Sequence, residues 1–312
     1  MRASVSLRRI KHSFIGKIYR RLGHLAFALR FRTNEPVRFH LPRGIDIRLY
    51  PYGEVAEFLF YHRWFERTEL DLVAGFLTPG MRVIDVGANI GLYSIVADRL
   101  VGARGRVWAF EPSSKTYQWL LDNLRVNGCA SVIPIKLALS ECGEELALQS
   151  DPWFGDAYRY LARRNATASA PSASHAGGPG TERVTTVTLD DYAETHDIRN
   201  VDFIKVDIEG WEYPFFRGAR HVLTQNRNVV IMFENSPDWY ARAGYRPQNV
   251  FALLGELGFG LYSWHQRQLR WDDSESSVTA AEMVWATRDR RRLPARASSG
   301  SIGSRHATQR LP

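Results

Sequence analysis

Four acids in this chain, Asp85, Glu111, Asp207 and Glu234, stand at the ends of short apolar runs: "VIDVG", "RVWAFEP", "FIKVDIEG" and "VVIMFEN". Runs of this length and composition read as buried strands, which places the acids at strand carboxyl ends, where open α/β sheets bind ligands. A lone acid there is ordinarily a helix cap or a solvated loop residue. Four of them point to a ligand instead. The chemistry open to such a set is binding of hydroxyls and cations and acceptance of a proton.

The first acid opens a glycine turn, "VIDVGANIGLYS" (Val83 to Ser94). A dinucleotide turn of the form G-x-G-x-x-G would need glycine where Asn89 and Leu92 stand, and Asp85 would set negative charge beside a pyrophosphate. No Gly-Lys-Ser/Thr follows, so a P-loop is excluded as well. The remaining common ligand of a strand, glycine turn and helix is S-adenosylmethionine, whose α-ammonium and sulfonium welcome an acid. On that reading Asp85 lies near the ammonium, and Gly87 lets the ligand approach the backbone. Gly91 lets the next helix pack close to the strand, and Asn89 supplies donors or a turn bond. Glu111, ending the next strand, accepts the ribose hydroxyls. Asp207 either takes the proton of an acceptor hydroxyl or orients the methionine portion or the following helix, and Glu209 faces the other way along an extended segment unless Gly210 redirects it.

These residues need elements to hold them. Periodicity predicts helices over 54–63 and 66–77, a strand over 83–86, a helix from Leu92 to Leu100 and a strand from Arg106. A helix over 114–127 stops at Asn127-Gly128, and a strand follows over 131–140. Residues 165–182, "NATASAPSASHAGGPGTE", can bury little and read as a flexible insertion. Beyond "VTTVTLDDY" come a strand over 201–210, a helix over 212–226 and a strand over 228–235. A helix near 247–257, a hairpin over 259–271 and a strand over 282–288 complete the pattern. Alternating strands and helices imply a parallel sheet covered by helices on both faces.

The 312 residues carry a net charge of +8, but the ends account for it. Residues 1–34 hold nine basic residues and no acid, and residues 288–312 hold seven arginines and one acid, which leaves 35–287 at −7. An acidic body argues against nucleic acid as a partner. In the N-terminal segment Ile10, Phe14, Ile18, Leu22, Leu25 and Leu29 recur at helical spacing among basic residues. That pattern suits a helix docked on the body, or one lying on an anionic membrane surface. Cys129 and Cys142, with no metal-spaced partners, read as reduced thiols of a cytoplasmic protein, peripheral at most to the inner face of the membrane. No apolar run approaches the ~20 residues of a membrane span. The domains expected are a basic lead-in over 1–50, a catalytic domain over 51–290 and a disordered basic tail over 291–312.

In order along the chain, "VIDVGANIGLYS", "AFEP", "LALS", "VTLDDY", "FIKVDIEGWE" and "VVIMFEN" resemble the FkbM family of S-adenosylmethionine-dependent methyltransferases, from about Met81 to Asn235. The resemblance implies an α/β fold built on a class I methyltransferase (Rossmann-like) sheet, mostly parallel with an antiparallel last strand. It also implies transfer of a methyl group to a hydroxyl of a sugar, a glycan or glycolipid precursor, or a natural product. The alternative is a protein that binds S-adenosylmethionine without turnover, as a sensor or scaffold. Asp207, Glu234 and Asn235 form an all-oxygen set of the kind that holds Mg²⁺, but Gly210 stands where a metal-dependent O-methyltransferase carries a lysine, so no metal is expected. Trp211 is open to sugar stacking or core packing, His265 reads as a hairpin surface residue, and residues 61–77 with Trp64, Phe65, Glu66 and Glu69 read as core or as a lid.

Overall fold

The computed structural model describes residues 35–41, 44–50, 66–151, 155–162, 181–265, 268 and 270–294. A hairpin of β1 (Val37–Leu41) and β2 (Ile45–Leu49) precedes α1 (Arg67–Phe76). Strands and helices then alternate through β3 (Arg82–Val86), α2 (Leu92–Val101), β4 (Arg106–Phe110), α3 (Ser114–Asn127) and β5 (Val132–Ile135). Four strands follow, β6 (Ala138–Leu139), β7 (Glu145–Asp151), β8 (Gly155–Ala162) and β9 (Thr181–Val187). The main pattern resumes with α4 (Leu189–Thr195), β10 (Phe203–Val206), α5 (Glu212–Arg217), α6 (Arg220–Gln225), β11 (Val230–Glu234), α7 (Pro237–Arg242) and α8 (Pro247–Glu256). It closes with β12 (Gly260–His265), β13 (Arg270–Asp272), α9 (Glu275–Ala280) and β14 (Met283–Thr287).

The central sheet runs β13-β12-β14-β11-β10-β3-β4-β5. Strands β11, β10, β3, β4 and β5 are mutually parallel, while β14 inserts antiparallel between β11 and β12. The expected parallel sheet with an antiparallel last strand is therefore present. The chain builds outward from β3 to β5, returns to β10 and then builds the other way, so the order reverses between β3 and β10. That reversal opens a crevice at the carboxyl ends of these two strands.

Alternation along the strands divides the core. Val83, Phe203, Val230 and Met232 face α1, α2 and α3, where they meet Leu70, Ile95, Val96 and Leu120. Ile84, Val86, Ile204, Val206, Ile231 and Phe233 face the other helices and meet Leu189, Phe215, Leu223 and Leu254. Both faces are dry, which is why these strands read as unbroken apolar runs.

Several expectations shift. The strand foreseen over 131–140 is two strands in different sheets, because β6 leaves β5 and pairs with β9. With β7 and β8 it forms a four-stranded sheet in the order β6-β9-β7-β8, which the alternation of the sequence did not announce. The helix over 212–226 breaks into α5 and α6 at Gly218, whose missing side chain leaves room for the carbonyl of Ser140. Residues 291–294 of the expected basic tail pack on the body, with Leu293 buried and the Trp271 indole donating to the carbonyl of Pro294 at 2.9 Å, and residues 295–312 lie outside the described residues. The expected helix over 54–63, the basic segment 1–34 and all but the last two residues of the insertion lie outside the described residues.

The β1–β2 hairpin, also unforeseen, docks on α3 through two amides. Asn127 accepts from the Asp46 N–H at 3.1 Å and donates to its carbonyl at 2.5 Å. Fully buried Asn123 accepts from the Arg48 N–H at 2.7 Å and donates to the carbonyl of Ile90 at 3.0 Å. The hairpin is thereby tied to the glycine turn itself.

Candidate functional site

The register of the parallel strands builds the site in two layers. Asp85 of β3 lies opposite Lys205 of β10, which lies opposite Met232 of β11. The next positions on the same face, just past the last residues paired among these three strands, are Gly87, Asp207 and Glu234. This is the face of α1 and α2, and it ends in the crevice between β3 and β10.

Lys205 fills the lower layer. Its side chain is buried, and its ammonium donates to the carbonyl of Gly87 at 3.0 Å. It lies 3.2 Å from Asp207 Oδ2, 3.7 Å from Asp85 Oδ1 and 5.2 Å from the centre of the Tyr93 ring. Burial works to lower its pKa, but the carboxylates of Asp207, Asp85 and Glu66 prevail and raise it, so the group stays charged. Sequence reading passed over this residue. The signal was there, since a lysine inside an apolar strand two residues before an acid needs a buried anion to stand beside.

Asp85 is 1% exposed and accepts from Ser94 Oγ at 2.6 Å; burial pushes its carboxyl up while Lys205 draws it back. Glu66, at the start of α1, holds a left-handed φ of 46° and accepts from the Tyr93 hydroxyl at 2.5 Å. Burial, with Asp207 nearby, moves its carboxyl up to about 7. Glu234 Oε2 is buried without a hydrogen-bond partner, and desolvation followed by the charges of Asp207, Glu209, Glu212 and Glu66 pushes the group to about 11. Glu212 accepts from the Ile208 N–H at 3.0 Å and rises to about 8 through burial. Glu66 enters the site as part of the acid cluster, while Trp64 and Phe65 lie outside the described residues.

The turn after β3 places the remaining residues. Gly87 has φ of 75°, and a side chain there would collide with the carbonyl of Asp207, so its bareness serves strand packing as well as any ligand. Asn89 takes φ of 49° and gives its backbone N–H to Glu111 Oε2 at 3.0 Å. Glu111 Oε1 accepts from the Ser113 N–H at 3.0 Å, so the two strand ends are joined through one carboxylate. Gly91, with φ of 92°, packs against α3 rather than the strand: an added Cβ would lie 2.7 Å from Leu120 Cδ1. The turn after Asp207 is equally tight, with Glu209 at φ 53° and Gly210 at φ 92° against the backbone of Trp239.

Three weaker candidates resolve. Trp211 is 2% exposed and donates to Ser140 Oγ at 3.0 Å, so it packs in the core and presents no stacking surface. His265 lies in the β12–β13 hairpin, where its Nδ1 accepts from the Gln268 N–H. The Asn235 side-chain amide donates to the carbonyls of Val278, Thr279 and Ala281, an anchor for the segment before β14. Among the described residues no three His, Cys, Asp or Glu side chains are grouped to hold a metal ion.

Tested against a ligand, the donor set is selective. A phosphate would meet the carboxylates of Asp85 and Asp207 and be repelled, whereas an ammonium or sulfonium would be held. Glu111, ending β4 beside the glycine turn, is an acceptor of the kind that ribose hydroxyls need. The residues present fit S-adenosylmethionine.

Over 173 residues the chain is 27% identical to the hexuronic acid methyltransferase AglP of Haloferax volcanii, covering 55% of this chain and 60% of that protein. Over 200 residues it is 27% identical to the methyltransferase sdnD of Sordaria araneosa, covering 57% of this chain and 73% of that one. A solved S-adenosylmethionine-dependent O-methyltransferase from Thermotoga maritima superposes with a TM-score of 0.39 at 14% identity, over 74% of this chain and 69% of that one. A family model described as the methyltransferase FkbM domain matches residues 85–261, from the acid of β3 to β12 and more than half of the chain. The chain therefore belongs to the FkbM methyltransferase family, and S-adenosylmethionine is the cofactor that this membership implies.

Proposed function

We propose that the protein transfers a methyl group from S-adenosylmethionine to a hydroxyl of a sugar, a glycan or glycolipid precursor, or another small natural product. The observation that carries this reading is the convergence of Asp85, Glu111 and Asp207 at the carboxyl ends of three adjacent parallel strands, around the point where the strand order reverses. The sugar acceptor draws support from the relative in Haloferax volcanii, whose name specifies a hexuronic acid. The basic segment 1–34 supports a cytoplasmic protein touching a membrane surface; no helix among the described residues is long and apolar enough to cross one.

S-adenosylmethionine, when bound, supplies an electrophilic methyl group on a sulfonium. The chain's own part is to bind, to orient and to take a proton. Glu111 would hold the ribose hydroxyls and Asp85 the ammonium end, with Asn89 shaping the turn between them. Asp207, partly exposed and 3.2 Å from the Lys205 ammonium, would accept the proton of the attacking hydroxyl. Positioning that oxygen in line with the methyl carbon is the larger contribution to rate.

Calorimetry with S-adenosylmethionine and with NAD tests the donor, and incubation with sugar and cell-extract fractions, followed by mass, tests the acceptor. Binding of the first cofactor, with one methyl mass appearing on a hydroxyl compound, is the expected result. NAD binding without S-adenosylmethionine binding would overturn the reading, and donor binding with no methylated product from any fraction would favour the sensor or scaffold.

A further inference from the structure

Lys205 makes contacts that packing alone does not require. Its neighbours in β10 are apolar and could have been continued by another aliphatic residue facing Met232. Instead a charged group is buried where, among the described residues, the facing ionisable groups are acids and a phenol. Asp85 approaches from β3, Asp207 from the end of β10, Tyr93 from α2 and Glu66 from the start of α1, with Glu234 of β11 beyond Asp207. The ammonium also binds the carbonyl of Gly87, the pivot of the turn. One cation thus connects the two strands that flank the crevice.

We propose that Lys205 is a positioning residue for the methyl donor: its buried ammonium, 3.7 Å from Asp85 and 3.2 Å from Asp207, fixes both carboxylates in direction, so that Asp85 is ready to receive the cationic amino acid portion of S-adenosylmethionine. The inference rests on the reading of the crevice as the donor site. It assigns the lysine no contact with the donor, and it acts through the two acids. Without the ammonium, burial would oppose charge on Asp85 with the Ser94 hydrogen bond left to resist it, and Asp85 would take up a proton from solvent. A cationic ligand would then have to expel that proton in order to bind.

The experiment is calorimetry of S-adenosylmethionine with the full chain and with Lys205→Met between about pH 6 and pH 8, each in buffers of different ionisation enthalpy. The wild-type protein is expected to bind with little proton exchange beyond that of the ligand itself. The variant is expected to bind at least about tenfold more weakly at the acid end, to release an extra proton on binding, and to close the gap by up to about tenfold per pH unit as Asp85 loses its proton. A ratio of dissociation constants that stays the same at every pH, or a variant indistinguishable from wild type, would overturn the proposal, because a packing defect does not titrate. Should Lys205→Met fail to fold, the comparison moves to Asp207→Asn with and without Lys205→Met, which removes the cation together with one of its anions. Asp85 then remains as the reporter, and the same pH-dependent gap is required; its absence overturns the proposal. A wild-type protein that bound no S-adenosylmethionine would overturn the donor assignment itself, and this inference with it.

Discussion

Glu111 combines a binding role with a structural one, and two substitutions separate them. Its carboxylate accepts the backbone N–H groups of Asn89 and Ser113. Glu111→Ala is expected to weaken S-adenosylmethionine binding and also to lower the melting temperature, since each orphaned amide costs ~1–3 kcal/mol. Glu111→Gln keeps an acceptor oxygen and removes the charge, so it should weaken binding by roughly tenfold while leaving the melting temperature closer to wild type. Calorimetry beside thermal unfolding distinguishes the two. Asp207 is probed through turnover. Asp207→Asn should depress kcat by ~10²-fold or more with donor affinity little changed, and EDTA should leave wild-type activity intact. Activity lost to EDTA and restored by Mg²⁺ would replace this scheme with a metal-assisted one, and full activity in Asp207→Asn would remove the residue from the chemistry.

At the scale of the elements, three glycines test how tightly the turns are built. All three have positive φ, so any side chain strains the backbone. They differ in what the added carbon would strike. At Gly91 it meets the Leu120 side chain, which can rotate, and Gly91→Ala should cost ~1–3 kcal/mol in unfolding free energy. At Gly87 and Gly210 it meets the backbone of Asp207 and of Trp239, which cannot yield without moving the strand ends. Gly87→Ala and Gly210→Ala should be less stable than Gly91→Ala by denaturant unfolding, and should lose donor binding even where they remain soluble. A Gly87→Ala protein with wild-type stability and affinity would contradict this account of the crevice.

At the scale of the whole molecule, the gathered acids make stability depend on pH. Glu66, Glu212 and Glu234 are held at about 7, 8 and 11, above the ordinary value of 4.5, with burial as the leading cause in each. A raised acid keeps its proton in the folded state after the unfolded chain has released it. Its stabilising contribution is therefore complete below about pH 4.5 and is lost as pH rises through the folded value. Lys205, raised as well, contributes throughout this window and would lose its share only at higher pH. The melting temperature of the unliganded protein should accordingly fall between about pH 5 and pH 9, with Glu234→Gln flattening that fall. A rising profile over this range would contradict the protonated state of Glu234.

The amino-acid sequence by itself determined the alternation of β3 to β5 and of β10 to β11, the glycine turn and the acids at the strand ends. These are local matters, because an apolar run between turn residues has few other conformations and period two assigns its faces. It also excluded phosphate, since Asp85 stands where a phosphate would come. Only the tertiary structure decided which of these acids meet. The register of β3 against β10 set Asp85 beside Lys205, and the start of α1 brought in Glu66 from outside the recognisable motifs. The small sheet of β6 to β9, the hairpin held by Asn123 and Asn127, and the break at Gly218 were likewise decided by partners remote in the chain. Pairing between distant segments depends on which edges and carbonyls are brought within reach, and no window of sequence contains both partners.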